Sequence, residues 1–461
     1  MALTTNSTPA ATSTTTTTPP VVAYLRSLVA VRERSKQVFD LVVRDKGDYW
    51  IWHQDKLQTV VDFCAGLLER DFGTNYDKIP PHCRKNHFVT QTPKPIDRIA
   101  QLLENPQFPS KDKPVERAAA LIDLYIVSVL LDAGAGNTWT YTERDANGKV
   151  TWEGGRSEAL AVASYHMFVN GVFSAVPGDP LRVDAKALQA LTPAILGEQF
   201  QVTAANPMSG LDGRANLLIQ LGGALEARPD IVRSGRPGDI LYYLQPTLKT
   251  GGPKPVLSLV TFWDTLFSLL APIWPSRTTL PEYPDEVLGD VWYCPSLARS
   301  HDAIGDQRFE GDALVPFHKL TQWLCYSLLE PIESVAGWRV DPGPGQTGLP
   351  EYRNGGLLVD HELLTIRPDS LPNGAYPNGR DGLPVLAPGH PAVVEWRAVT
   401  VIALDKIHQG ICDKLGLTSD QLNLAQVLEA STWKGGREIA KLKRPESGGP
   451  PIEIISDGTV F

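Results

Sequence analysis

The sequence predicts a mostly α-helical fold: one large helical domain with a β-hairpin and a few short strands. Helical periodicity dominates from Val21 onward, with apolar residues three and four positions apart. The stretch from Trp139 to Trp152 alternates around Asp145-Ala-Asn-Gly-Lys149, which is typical of a hairpin. No linker divides the later chain, so we predict a disordered Thr/Ser-rich tail over 1–20 and a single helical domain over 21–461.

The individual elements follow from apolar spacing and from start and stop signals. Arg117 to Ala133 is almost entirely apolar, which predicts a buried helix, and the glycine-rich segment Asp132 to Gly136 ends it. Turn-forming residues cluster in three internal loops and in the tail, at 230–240, 341–355, 367–391 and 445–461. Further helices are predicted over 21–43, 56–72, 96–103, 157–173, 184–191, 211–226, 256–270, 315–330, 392–415 and, as one or two helices, 419–443.

Composition limits the classes of function. The 461 residues are 42% hydrophobic and 21% charged, which excludes global disorder. A net charge of -9 disfavours a nucleic-acid binder. The five cysteines form no CxxC pair, which fits a reducing compartment and no zinc site, and no apolar run is long enough to cross a membrane. We therefore expect a cytoplasmic or possibly nuclear protein that binds neither nucleic acid nor membrane.

The densest polar stretch runs from Leu349 to Asp360. It places Glu351, Arg353 and Asn354 beside a glycine pair, an arrangement that brings backbone close to a polar ligand. The composition of this stretch alone favours a simpler interpretation, in which a turn enters a strand and the two charged residues form a surface ion pair.

Two aspartates lie in unusual surroundings. Asp132 follows a buried helix, where the C-terminal dipole disfavours negative charge, so it needs hydrogen-bond donors or a functional role. The alternative is that Asp132 binds the hairpin turn. Asp290 stands in the sequence Leu-Gly-Asp-Val-Trp292, where desolvation is expected to raise its pKa. The alternative for Asp290 is a helix N-cap.

Basic residues near predicted helix starts are candidate anion ligands. Arg156 precedes a helix for which Ser157 is a plausible N-cap, so it is suited to a phosphate or carboxylate. Simple capping is the alternative for this stretch. Lys319 shares a helix face with Trp323 and is suited to pair with an acid or a phosphate.

Glu395 and Arg397 open the helix predicted over 392–415. The glutamate suits the N-terminal dipole, and the arginine is suited to pair with a distant acid. The sequence contains no HExxH and no GxSxG motif, and its histidines are dispersed, so we predict no metal site.

Nine sequence blocks in fixed order resemble the uracil-catabolism protein 4 family. They are LLDAGAG (130–136), RSEALAVAS (156–164), PLRVDAKAL (180–188), GLDGRANLL (210–218), LGDVW (288–292), VPFHKLTQWL (315–324), GLPEYRNGGLLVD (348–360), EWRA (395–398) and SDGTVF (456–461). Five stretches in the same order, LLDAGAG, ALAVASYHMFVNG, GRANLLIQLGGAL, LGDVWYCP and VEWRAVTVIAL, carry a fainter resemblance. They are similar to the queuosine-salvage nucleotide N-glycosylases, which are distantly similar to helix-hairpin-helix DNA glycosylases.

The first resemblance implies a pathway that degrades uracil after its conversion to the nucleotide. Ring opening there would leave a ribosylurea, phosphorylated or not, from which urea must be released. The second resemblance implies an α-helical fold and cleavage of an N-glycosidic bond. Together they imply a hydrolase that converts ribosylurea, or its 5′-phosphate, to urea and ribose or ribose phosphate.

The resemblance also implies roles for individual residues. Asp290 is expected to stabilise the oxocarbenium-like ribose, with Asp132 holding water or ribose hydroxyls. No metal or organic cofactor is needed by this chemistry, and the expected partner is a small ribosyl compound. The substrate-binding set comprises Glu351, Arg353 and Asn354 for urea and ribose, Arg156, Lys319 and Arg397 for a phosphate, Glu395, and a wall of Trp139, Trp292 and Trp323.

Three alternatives remain at this level. An amidohydrolase or deaminase could act on an open-ring ureido intermediate, although no metal cluster or Cys/Ser nucleophile is evident in the sequence. A non-catalytic scaffold or regulator of the pathway would have little need for several acids around one cavity. A nucleic-acid glycosylase would require a basic groove, which the acidic composition disfavours. The sequence does not predict the oligomeric state.

Overall fold

Helices make up most of the described chain, which confirms the predicted mostly α-helical fold class. The computed structural model describes residues 18–90, 95–132, 134–136, 138–275, 277–305, 309–343 and 345–455, so the predicted tail over 1–20 lies almost wholly outside the described residues. The α-helices are Pro20–Leu25, Leu28–Val43, Leu57–Phe72, Arg98–Leu103, Pro114–Leu130, Arg156–Val169, Ala185–Gln189, Pro193–Gln199, Leu211–Ala227, Ile240–Leu244, Leu259–Leu270, Pro295–Ile304, Lys319–Ser334, Tyr352–Asp360, Pro391–Leu415, Leu424–Val427 and Trp433–Lys443, and one π-helical turn spans Leu428–Thr432.

The described strands are short and pair two by two. The predicted hairpin is confirmed as Tyr141–Arg144 paired with Val150–Gly154, and Asp145 holds its turn by accepting from the backbone N–H of Asn147 and Lys149. The other antiparallel pairs are Trp50–Trp52 with Leu364–Ile366, Val89–Thr90 with Ile96–Asp97, and Val291–Tyr293 with Leu314–Pro316; the parallel pairs are Val256–Ser258 with Arg339–Asp341 and Val385–Leu386 with Glu453–Ile454.

The predicted buried helix is confirmed as Pro114–Leu130. It begins with a proline at its first turn, where the missing N–H costs no hydrogen bond. From Arg117 to its last residue every side chain is buried. The helix ends three residues before the predicted Ala133, so Asp132 lies just beyond it.

The polar stretch around Glu351 folds as a helix, so its interpretation as a turn entering a strand is wrong. The Glu351 carboxylate accepts hydrogen bonds from the backbone N–H of Arg353 at 2.7 Å and of Asn354 at 2.6 Å, which caps helix Tyr352–Asp360. A Cβ atom on Gly355 would lie 2.6 Å from the Trp396 ring. That glycine therefore serves close helix packing and not the approach of a ligand to the backbone.

Several predicted boundaries differ from the structure. The helix predicted over 21–43 is broken at Ser27, whose hydroxyl caps Leu28–Val43. The stretches 256–270 and 315–330 each begin in a short strand, Val256–Ser258 and Leu314–Pro316, before becoming helical, because short apolar runs fit either structure. The helices Pro193–Gln199, Ile240–Leu244 and Pro295–Ile304 were not predicted.

Two large clusters of buried apolar residues form the core. One surrounds helices Pro114–Leu130, Arg156–Val169 and Leu211–Ala227. The other surrounds helices Leu28–Val43 and Pro391–Leu415. Helix Lys319–Ser334 packs into the first cluster through residues such as Trp323, whereas Phe317, just before it, belongs to the second cluster. The start of that helix therefore lies where the two clusters meet.

Candidate functional site

A cavity of about 450 Å³ opens at the start of helix Lys319–Ser334. Its wall also contains the end of helix Pro114–Leu130, the starts of helices Arg156–Val169 and Tyr352–Asp360, and a C-terminal segment. The lining residues are His82, His87, Asp132, Gly134, Ala135, Gly136, Arg156, Ser157, Ser209, Lys319, Trp323, Leu349, Glu351, Tyr352, Arg353, Leu383, Trp433, Ser447, Gly449, Pro450, Glu453 and Ile454. Six predicted site residues therefore share one cavity.

Asp132 is held in place by a buried arginine. Arg84 Nη1 donates to Asp132 Oδ2 at 2.6 Å, and Arg84 Nε donates to the Ser128 hydroxyl at 2.8 Å. Asp132 Oδ1 has no hydrogen-bond partner among the described residues, so it remains able to accept from a ligand or water. The expectation that Asp132 binds the hairpin turn is wrong, because its charge is paired with an arginine from another part of the chain.

Lys319 reaches the cavity from the first position of its helix. Its backbone N–H donates to Asp290 Oδ2 at 3.0 Å, which fixes the helix start. Within the described part of the chain, no carboxylate lies within ion-pair distance of the Lys319 ammonium. Burial lowers the pKa of Lys319, although the charges of Glu351 and Asp132 oppose this shift.

Glu351 lines the same cavity and differs from Asp132 in its environment. Burial raises the pKa of Glu351, against the opposing effects of the Lys319 charge and of the backbone N–H groups of Arg353 and Asn354. Asp132, in contrast, lies in contact with the Arg84 guanidinium. The cavity thus contains two carboxylates, one paired with an arginine and one whose pKa burial shifts upward.

Asp290 does not line this cavity, which corrects the expectation that it faces the ligand. Arg397 binds both of its carboxylate oxygens at 2.7 Å, and Trp292 Nε1 donates to it at 2.6 Å. Burial alone would raise the pKa of Asp290, but Arg397 and the N–H of Lys319 hold it well below its usual value. The expectation of a raised pKa for Asp290 is therefore wrong. Asp290 instead fixes the position of Lys319 by accepting a hydrogen bond from its backbone N–H.

Five other predicted site residues lie outside the set that lines this cavity. The side chain of Asn354 donates to the Leu349 carbonyl, and Trp139 Nε1 donates to the Phe200 carbonyl. Glu395 accepts from the backbone N–H groups of residues 48 and 49, each at 3.0 Å. Arg397 and Trp292 both donate to Asp290. All five of these side chains therefore have hydrogen-bond partners within the protein that explain their positions.

Two arginines of the cavity hold the C-terminal segment. Arg353 Nη1 donates to the Gly448 carbonyl at 2.8 Å, and Arg156 Nη2 donates to the Ser447 carbonyl at 3.2 Å. Arg156 has a φ of +60°, which is unusual for a residue with a side chain. It is the first residue of its helix and Gly155 is the N-cap, so the prediction of Ser157 as N-cap is wrong.

Sequence reasoning missed the residues His82, His87 and Trp433. Trp433 follows the π-helical turn and faces the two imidazoles, whose ring centroids lie 5.6 Å and 5.7 Å from it. The block His-Cys-Arg-Lys-Asn-His over 82–87 is dense in basic and imidazole side chains, and this signal could have found the histidines.

The described residues contain neither a candidate metal cluster nor a candidate membrane-spanning helix. No group of three or more His, Cys, Asp or Glu side chains there is arranged to hold a metal ion. None of the helices in that part of the chain is both long and apolar enough to cross a membrane.

Comparisons with known proteins extend over nearly the whole sequence. A family model described as "Protein of unknown function (DUF1688)" matches residues 24–461. Uracil catabolism protein 4 of Lachancea kluyveri is 41% identical over 455 residues, which cover 95% of this chain and 99% of the relative. Protein urg3 of Schizosaccharomyces pombe is 41% identical over 441 residues, which again cover 95% of this chain and 99% of the relative.

These matches confirm the resemblance carried by the nine sequence blocks. The fainter resemblance to queuosine-salvage N-glycosylases stays a prediction. Because the family model and both relatives span almost the entire sequence, the chain belongs to the DUF1688 family and is a homologue of Uracil catabolism protein 4.

Proposed function

We propose that this protein is a hydrolase of uracil catabolism that cleaves the N-glycosidic bond of ribosylurea or its 5′-phosphate. The products would be urea and ribose or ribose phosphate. The name of the Lachancea relative supports the pathway. The observation that carries the chemistry is a single cavity in which the carboxylates of Asp132 and Glu351 meet the cations of Arg156, Lys319 and Arg353.

The two carboxylates suit the two halves of this hydrolysis. As the C1′–N bond breaks, positive charge develops on the ribose, and the Asp132 carboxylate stabilises it. Asp132 Oδ1, which has no donor among the described residues, accepts a proton from the attacking water. Glu351, whose pKa is raised by burial, donates a proton to the departing ureido group. Water adds to C1′, and the electrons of the broken bond leave with the urea nitrogen.

The cations of the cavity suit an anionic substrate. Arg156 and Arg353 donate to backbone carbonyls of the C-terminal segment, each through one of its five guanidinium N–H groups as far as the described residues go. The other N–H groups of each guanidinium are suited to an anionic ligand. Burial lowers the pKa of Lys319, and an anion bound beside it would oppose that shift. The cavity volume of about 450 Å³ fits a ligand of this size.

The cysteines do not support an amidohydrolase with a thiolate nucleophile. All five are buried, and burial raises the pKa of Cys64 to about 12 and of Cys294 to about 11. A thiol in such surroundings is unreactive. This observation favours the glycosidase over the alternative ureido hydrolase.

The deciding experiment measures urea and free sugar after incubation of the pure protein with ribosylurea and, separately, with its 5′-phosphate. We expect equimolar urea and sugar from at least one of them. Asp132→Asn should lower the rate at least ~100-fold, because an amide cannot stabilise the developing charge. The exposed Asp420→Asn is the matched control and should keep the full rate. Absence of urea above background from both compounds would overturn the proposal.

A further inference from the structure

Two imidazoles and two indoles form one part of the cavity surface, which we call the imidazole–indole wall. It comprises His82, His87, Trp323 and Trp433, all of which line the cavity. The His82 ring lies 4.4 Å from Trp323, and the His87 ring lies 5.7 Å from each tryptophan, between ring centroids. Each imidazole therefore contacts both indole rings, and its remaining polar atoms are held in fixed directions.

The tautomer of His87 follows from its neighbour. Arg84 Nη1 lies 3.1 Å from His87 Nδ1, and a guanidinium can only donate, so Nδ1 must be the acceptor. In the neutral imidazole the proton then resides on Nε2. His87 is 5% exposed, and its Nε2 is buried with no hydrogen-bond partner in the part of the chain that the structure describes. A buried N–H without a partner costs free energy that a ligand acceptor would recover.

The neutral state of His87 is supported by its surroundings. Burial and the adjacent Arg84 charge both lower the pKa of His87, although the charges of Glu158 and Asp132 oppose them. The donor on Nε2 is thus a neutral N–H, suited to a carbonyl oxygen more than to an anion.

His82 has the opposite arrangement. Its Nδ1 lies 2.6 Å from Glu429 Oε2, and a carboxylate accepts, so His82 donates from Nδ1. In its neutral form the imidazole then presents an acceptor at Nε2. Glu429 belongs to the π-helical turn Leu428–Thr432, directly before Trp433, and such turns are frequent at functional sites. This π-helical turn therefore positions Trp433 and also Glu429, which is the hydrogen-bond partner of His82.

We propose that the imidazole–indole wall is the recognition site for the ureido group, with His87 Nε2–H donating to the urea carbonyl and His82 Nε2 accepting a urea N–H. Urea is planar and offers one acceptor oxygen beside N–H donors, which complements this donor and acceptor. The tryptophan rings pack against its plane. The inference rests on the proposed function for the identity of the ligand, and it moves urea recognition away from Asn354, whose side chain binds the Leu349 carbonyl.

The test combines turnover of ribosylurea with binding of N-(2-hydroxyethyl)urea, a probe that cannot be hydrolysed at a glycosidic bond. His87→Phe keeps a planar ring but removes the donor. It should raise the KM for ribosylurea and the Kd for the probe at least ~10-fold each. His87→Gln retains an amide donor near the Nε2 position and should stay within about threefold of the native protein. In protein labelled with ¹⁵N-histidine, the probe should shift the Nε2 resonance of His87, identified by its absence in His87→Gln.

The outcomes separate this inference from the proposed function. If urea is released and the His87→Phe variant binds and turns over like the native protein, the wall is not the ureido site, whereas the hydrolase stands. If the probe binds in a His87-dependent way without urea release, the wall is supported and the hydrolase falls. If the native protein neither releases urea nor binds the probe, both are overturned. Should His87→Phe fail to fold, the Nε2 shift in the native protein decides: a shift supports the inference, and its absence refutes it.

Discussion

At the residue scale, the pairing of Asp290 decides its charge and its role. Its carboxylate lies between a bidentate arginine, an indole N–H and a helix N–H. Asp290→Asn would replace the carboxylate that accepts two hydrogen bonds from Arg397, an arginine that is only 1% exposed. We expect a loss of about 3–5 kcal/mol in the free energy of unfolding. Guanidinium chloride denaturation measures it, because urea is a candidate ligand.

The control for that prediction is the exposed Asp420→Asn, which should change the unfolding free energy by less than about 0.5 kcal/mol. An Asp290→Asn variant as stable as this control would show that the ion pair contributes nothing to folding. Asp290 does not line the cavity, but it accepts a hydrogen bond from the backbone N–H of Lys319, which does. We therefore expect any loss of turnover in Asp290→Asn to result from displacement of Lys319.

The candidate site was partly predictable at this scale. Asp132 was found because an acid beyond a buried helix needs a partner, and Glu351 and Arg353 because of their local density. Asp290 was misjudged because its partner Arg397 lies 107 residues away, and no local pattern shows that pairing. His87 was missed because its role depends on Arg84 and on two tryptophans from distant helices.

At the scale of elements, helices Trp433–Lys443 and Tyr352–Asp360 approach closely at one glycine. A Cβ atom on Gly436 would lie 2.2 Å from the Arg353 carbonyl oxygen. Gly436→Ala should therefore destabilise the protein by about 1–3 kcal/mol and shift Arg353 within the cavity. The unfolding free energy and the KM for the proposed substrate report the two effects.

The matched control is Gly223→Ala, in the middle of helix Leu211–Ala227. Apart from its chain neighbours and its own helix backbone, no atom of the described residues lies within 4 Å of its added Cβ, so alanine should stabilise that helix by up to about 1 kcal/mol. If both substitutions changed stability equally, close packing at Gly436 would not constrain the site.

The buried side chain of Glu143 stabilises the β-hairpin, and its contribution to the free energy of unfolding depends on pH. Although burial pushes the pKa of Glu143 upward, hydrogen bonds from His166 and Arg98 hold it at about 2. A depressed folded-state pKa stabilises the protein above the unfolded value of about 4.3. That contribution is lost as the pH falls from about 4.3 toward 2, through the folded-state value.

Glu143→Gln should thus be less stable than the native protein at pH 7, by up to about 3 kcal/mol. The difference should shrink as the pH falls from 5 to 2, and unfolding curves across this range measure it. If the difference in unfolding free energy between Glu143→Gln and the native protein stayed constant with pH, the charge of the Glu143 carboxylate would not be the origin of the stabilisation.

Element prediction succeeded where spacing or turn residues were strong, as for Pro114–Leu130 and the hairpin. It failed for Tyr352–Asp360, because two glycines and a proline-rich approach disfavour a helix locally. The side-chain cap from Glu351 and the fit of Gly355 against Trp396 outweigh that preference. These are tertiary effects, and residue spacing does not report them.

At the scale of the whole molecule, the C-terminal segment closes a cavity built from much earlier parts of the chain. Its strand Glu453–Ile454 pairs with Val385–Leu386, and its loop carbonyls bind Arg156 and Arg353. The sequence predicted an extended Pro/Gly-rich tail at this place but could not predict what it covers. Nothing local to the tail specifies partners such as Arg353 and Arg156, which lie 95 and 291 residues from the carbonyls they bind.

Truncation after Glu446 should remove one side of the cavity and release both arginines. We expect urea release to fall at least ~10-fold, because the substrate would be held less accurately and exposed to water. Deletion of residues 2–17 is the control, since the sequence predicts a tail there, and it should leave the rate unchanged. Full activity of the C-terminal truncation would place the reaction outside this cavity.

The π-helical turn Leu428–Thr432 also sets an angular register. Each residue of an α-helix advances the chain by about 100° around its axis. Deleting one residue from this turn, and so restoring regular α-helix, would rotate Trp433 by roughly that angle relative to Glu429. Loss of one residue from this turn would therefore move the Trp433 indole away from the cavity and toward a neighbouring surface.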